Sequence, residues 1–234
     1  MDKQQARNIV QNTFENPFEK AGFTLFIKNL LNQIDAAPFT YQGNYIPDAY
    51  KPYISKLERI GKYTADAQKL DLLIVQLQKE TSLERARTMQ RNFIAWYLNG
   101  SRGGELKDAA LAAFVSPNQE DWRFSLVKMD YRFEPAQDGK VKVKEEFTPA
   151  RRWSFLVGKN ENSHTAQSRL APILADDTRN PTLAELEDAF NIEKVTKEFF
   201  EKYRDLFLVA KEKRDAIVAT DQRINADFAS KGVN

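Results

Sequence analysis

The residues from Lys69 to Leu98 read KLDLLIVQLQKETSLERARTMQRNFIAWYL. Asp71 opens an apolar run that ends near Gln78, short and branched enough for a buried strand over 70–78. Thr81 or Ser82 then offers an N-cap, and a helix is expected from there to about Leu98. Glycines at 100, 103 and 104 end it. A strand that feeds a helix needs a further parallel strand to return to. The segment Ala109–Ser116 supplies it, giving one parallel crossover over 70–116.

Further along, Trp122–Phe133 and Arg152–Gly158 are rich in aromatic and β-branched residues and read as strands. AQDGK at 136–140 is a hairpin turn signal, and 140–147 alternates lysine with valine as a half-exposed strand does. An antiparallel meander is therefore expected between 109 and 158. On the N-terminal side, 2–14 is polar and helix-permissive. Residues 18–34 place Phe23, Phe26, Ile27, Leu30, Leu31 and Ile34 at helical spacing. Pro38, Gly43, Pro47 and Pro52 mark 36–52 as irregular, and 53–60 starts a short element. From His164 onward the pattern is helical. Thr182 and Glu185 form a capping box, and Ile192, Val195, Phe199, Tyr203, Leu206 and Phe207 make one stripe over 192–218.

These elements add up to an α+β fold: a mixed sheet of about five strands flanked by helices, with a helical C-terminal third. Two domains are expected, a sheet domain over 1–160 and a helical region over 161–234. The last thirty residues carry no clear terminal cap, which suggests the N-terminal piece of a longer protein; the alternative is a frayed terminal helix.

Composition narrows the chemistry. The chain has 234 residues, 16 Phe, 8 Tyr and 3 Trp, enough for a packed core. Cysteine is absent, which removes disulfides, thiolate metal sites and cysteine nucleophiles. A single histidine, His164, removes two-histidine zinc motifs. No apolar run approaches the roughly 18 residues of a membrane span, and the N-terminus lacks a signal-peptide core. A cytoplasmic protein without a membrane partner is expected. The net charge of +2 makes any nucleic-acid surface a matter of local sorting. No Walker loop, GxGxxG or GxSxG is present.

Arginines on the 82–98 helix are the first candidates for function. Arg87 and Arg91 are four apart and share a face with Arg85 nearby, which suits a clamp on phosphate oxygens. The alternative is ion pairing with neighbours such as Glu84. Gln90 beside them is a candidate base reader. Arg151 and Arg152 extend the basic set, with Arg123 and Lys128 as further cations. Trp122 or Trp153 could stack on bases or pack in the core. Asp71 and Lys79 are candidate catalytic residues of a PD-(D/E)xK-type nuclease, with Asp71 as the Mg2+ ligand. The motif is incomplete. Leu77 stands two before Lys79, where a carboxylate belongs, and Glu80 follows the lysine. The alternative is that Asp71 merely ends a strand. His164 follows a glycine-ended strand and is either an acid–base group or a cap.

Four segments together resemble a known family. They are ETSLERARTMQRNF (80–93), DWRFSLVKM (121–129), TPARRWSFLVG (148–158) leading into SHTAQ (163–167), and NIEKVTKEFF (191–200). In order and wording they resemble the N-terminal region of type IIG restriction–modification proteins, over roughly residues 18–210. The resemblance implies a DNA-interacting module. It implies a restriction-endonuclease-like core, Mg2+-dependent or degenerate, with the partner N6-adenine DNA methyltransferase domain downstream. The alternative it leaves is a non-catalytic module that docks onto that methyltransferase.

Overall fold

A computed structural model of the chain describes residues 1–101, 104–135, 141–144, 150–221, 223, 226 and 230. The chain divides into two compact units, Met1–Phe190 and Asn191–Asn234.

The first unit is built on a six-stranded mixed sheet. Its strands are β1 (Phe39–Gln42), β2 (Ile54–Ala65), β3 (Gln68–Leu77), β4 (Ala109–Val115), β5 (Asp121–Met129) and β8 (Ala150–Gly158), hydrogen-bonded in that order. Only β3 and β4 pair in parallel. The expected crossover and antiparallel meander are thus both present. The α+β class holds, with six strands instead of five. The extra strands come from 36–65. Their charged residues hid them, because Lys56, Glu58 and Arg59 interrupt the apolar pattern of β2. Between β5 and β8, β6 (Arg132–Pro135) and β7 (Val141–Lys144) pair with each other as a separate antiparallel ribbon. The hairpin turn expected at 136–140 lies outside the described residues, as does the end of the strand expected over 140–147.

β3 and β4 are central and covered on both faces, which explains their unbroken burial from Leu70 to Val75 and from Ala109 to Val115. The crossover contains two helices, α3 (Ser82–Arg85) and α4 (Arg87–Leu98). A single helix was expected here. Ala86, at φ −99° and ψ 30°, breaks it. α4 lies over Ala110 and Ala112, whose small side chains let Phe93, Ile94, Tyr97 and Leu98 approach the strands closely.

The opposite face is covered by α1 (Lys3–Phe14), α2 (Lys20–Leu31) and α6 (Leu183–Phe190), with α5 (His164–Ala175) packed on α1. Trp122 of β5 is 1% exposed and meets Phe14, Phe18 and Phe23 edge-on at 5.2–5.6 Å. Each such pair stabilises by about 0.5–1.5 kcal/mol beyond its buried area. Trp122 is therefore a core residue and is not available to stack on bases. Phe190 closes the same layer against Phe124 and Phe155. α5 and α6 thus belong with the sheet, because Leu170, Leu174, Leu186 and Phe190 are buried in that first unit.

The second unit contains α7, Ile192–Thr220. Phe199, Tyr203, Leu206 and Phe207 on it are 57–68% exposed. The side chain of Val195, expected on the same stripe, lies outside the described residues.

Candidate phosphate-binding face

Strand alternation sorts the functional candidates by face. Ladder partners Phe114, Arg123 and Leu156, then Ser125 and Ser154, then Val127 and Arg152, share the α4 side of the sheet. Arg151, one residue on, points the other way. It lies 3.9 Å from Glu187 of α6 and 4.0 Å from Asp130. Arg151 and Arg152 therefore do not act on one surface, and Arg151 has carboxylate partners of its own.

Four arginines gather where α4 begins. Arg87 is exposed and Arg91 half-buried on the helix, while Arg123 and Arg152 rise from β5 and β8. Arg152 donates to the Arg87 carbonyl at 3.0 Å and to Ser125 Oγ at 3.2 Å, and its guanidinium lies 4.9 Å over the Phe114 ring. Arg123 is 6% exposed and donates to Ser154 Oγ at 3.3 Å. Burial, then Arg123, Arg87 and Arg91, push the Arg152 guanidinium below its usual value. Burial and Arg87 do the same to Arg123, against weaker support from Glu84 and Glu161. Arg85, at the end of α3, is exposed nearby. Among the described residues, none of these five guanidinium groups forms an ion pair with a carboxylate. The pairing of Arg87 with Glu84 that the sequence allowed is not made. No side chain caps the N-terminus of α4, so its positive end adds to the same field.

Gln90 is fully buried. Its amide donates to the carbonyls of Ser82 at 2.6 Å and Leu83 at 3.2 Å. It ties α3 to α4 and cannot read a base edge. The spacing that put it beside the arginines placed it on the inward side of the helix.

The nuclease candidates separate. Asp71 is near the start of β3, and Lys79 is exposed beyond its end. The six residue steps of strand from Asp71 to Leu77 alone span about 20 Å, which leaves Lys79 too far from Asp71 to share a metal or a water. Asp71 is 2% exposed, and its Oδ2 accepts from the Tyr97 hydroxyl and from Arg59 Nη1 at 3.2 Å, with Lys107 Nζ at 3.8 Å. A carboxylate already facing two cations and a phenol is a poor partner for Mg2+. Among the described residues, no group of three or more His, Asp or Glu side chains is placed to hold a metal. The donor set around Asp71 does not fit the expected ion.

Sequence reasoning missed Arg59 and Lys107, because they come from β2 and from the loop after α4. The pairing of β2 with β3 brings Arg59 to Asp71, and the parallel pairing of β4 with β3 brings Lys107 there. Arg59 is held by Nε donation to the Ala37 carbonyl at 2.7 Å and by the Phe39 ring, 5.2 Å below its guanidinium. Burial lowers the Lys107 ammonium, and Asp71 opposes that. Burial and Asp71 raise the Tyr97 phenol. His164 is the exposed first residue of α5. The adjoining Ser163, not His164, bonds Glu15, through Nα at 3.1 Å and Oγ at 2.8 Å.

Comparison with protein-family models, curated proteins and solved structures finds no match. Among the described residues, no helix is long and apolar enough to cross a membrane.

Proposed function

We propose that the first unit is a DNA-backbone-binding module of a cytoplasmic restriction–modification protein, and that it binds without cleaving at Asp71 and Lys79. The observation that supports this reading is the arginine group at the start of α4. Exposed Arg85 and Arg87 and half-buried Arg91 are free of carboxylate partners among the described residues. Arg123 and Arg152 beneath them make no ion pair with a described carboxylate, and Glu84 and Glu161 act on Arg123 only from a distance. Guanidinium forks match phosphate oxygens in a two-pronged geometry, and phosphate contacts position a protein on DNA without reading sequence. With Gln90 turned inward, sequence choice falls to another part of the protein.

An electrophoretic shift on duplex DNA, with a parallel Mg2+ lane scored for nicking, tests both halves. Retarded DNA that stays intact is the expected result. Nicking abolished by Asp71→Asn would restore the nuclease reading, with Mg2+ at Asp71.

A second reading has its own observation. Phe199, Tyr203, Leu206 and Phe207 leave α7 with large exposed apolar side chains. They support docking of this helix onto a following methyltransferase domain, and both roles fit one chain.

A further inference from the structure

A second cationic site lies at the other end of the α4 face. β2 carries a bulge between Arg59 and Gly61, so Arg59 pairs with Leu73 while Lys62 pairs with Asp71. In a regular strand, residues three apart point to opposite faces. The extra residue brings Arg59 and Lys62 to the same side, above Asp71. Gly61 is required at the bulge, since a Cβ there would sit 2.6 Å from Ile34 Cγ2 and 3.1 Å from the Asp35 carbonyl. Both cations line a cavity of about 230 Å3 with Lys107, Tyr97, Phe39 and Tyr41.

The charges in this cavity do not balance. Arg59 and Lys107 share one carboxylate, and both approach the same oxygen, Asp71 Oδ2. Lys62 has no carboxylate partner among the described residues. Glu105 on the rim is ion-paired with Lys69 and acts more weakly on Lys62 and Lys107, so two carboxylates face four cations. Lys107 is 7% exposed, its Nζ donating to the Glu105 carbonyl at 3.0 Å. Buried ammonium and guanidinium groups in excess of their counter-charges are stabilised by an added anion.

We propose that this cavity binds a phosphate-sized oxyanion, with Arg59, Lys62 and Lys107 as its cationic contacts. Size sets the class. Pockets for drug-sized ligands run to about 300–1,000 Å3, so this cavity takes a phosphoryl group but not a whole nucleotide. The group is either free phosphate or the terminal phosphate of a polynucleotide. The site is separate from the arginine group and does not depend on the DNA-binding reading.

Titration calorimetry of the full chain with inorganic phosphate tests it, using wild type, Lys62→Gln and Arg87→Ala/Arg91→Ala. Lys62 is half-exposed and makes no side-chain bond among the described residues, so its variant should keep the fold, which circular dichroism checks. Saturable binding is expected in wild type and in the double variant, with about tenfold weaker affinity in Lys62→Gln. Displacement of phosphate by a 5′-phosphorylated oligonucleotide but not by its 5′-hydroxyl form would identify a DNA end as the source. Displacement by neither would identify free phosphate. Three results would overturn the proposal: no saturable binding, unchanged affinity in Lys62→Gln, or loss in the double variant alone.

Discussion

The Tyr97 hydroxyl donates to Asp71 Oδ2 across the boundary between α4 and the sheet, and both side chains are 2% exposed. This bond joins the helix of the crossover to the strand that precedes it. The same carboxylate is the counter-charge of half-buried Arg59 and buried Lys107. Asp71→Ala removes that counter-charge and is expected to cost about 3–5 kcal/mol in urea unfolding. Tyr97→Phe removes one bond to a charged acceptor and should cost about 1.5–3 kcal/mol. Unchanged stability in Asp71→Ala would contradict the counter-charge role.

Gln90 makes a different kind of prediction. Its amide donates to two carbonyls of α3, so Gln90→Leu removes both of those buried bonds. A loss of about 1–3 kcal/mol in thermal or urea unfolding is expected, while preference among DNA sequences stays the same. A shift in sequence preference with full stability would make Gln90 a base reader after all.

At the start of α6, Thr182 and Glu185 bond reciprocally. The Thr182 amide donates to Glu185 Oε2 at 2.8 Å, and the Glu185 amide donates to Thr182 Oγ1 at 3.2 Å. Thr182→Ala should cost about 1 kcal/mol. Arg179 first, then the Thr182 amide, holds the Glu185 carboxyl down to about 2 from its usual 4.5. A lowered carboxyl pKa stabilises the fold above the unfolded value and loses that effect as pH falls through the folded one. Wild type should therefore lose stability between about pH 5 and pH 2, and Glu185→Gln should flatten part of that slope in acid titration followed by circular dichroism. The carboxyl is partly exposed, so the effect is small and screened by salt. Identical acid profiles would contradict it.

What the sequence made legible follows from pattern length. The run from Leu70 to Leu77, the Ala109–Ser116 segment and the capping box at 182–185 each carry a local signal strong enough to survive into the fold. β1 and β2 do not, because Lys56, Glu58, Arg59 and Lys62 interrupt the apolar pattern of β2 and its bulge breaks the two-residue period. The arginines were visible as helix spacing, but their surroundings were not. Spacing alone could not turn Gln90 inward or send Arg151 to the far face beside Glu187. Nor could it set Asp71 near one end of β3 and Lys79 beyond the other. The cluster of Arg59, Asp71, Tyr97 and Lys107 is assembled by sheet pairing and a crossover, contacts that no short motif encodes.

Fluorescence anisotropy on a short duplex across a salt series, with wild type and Arg87→Ala/Arg91→Ala, separates phosphate binding from every other role for the arginine face. Three phosphate contacts from Arg85, Arg87 and Arg91 give a slope of log affinity against log salt of about −3. The double variant should bind more weakly to all sequences, with the slope reduced by about 2. Undetectable wild-type binding, or equal slopes for the two proteins, would contradict the DNA-backbone reading and leave docking through α7 as the better explanation of this chain.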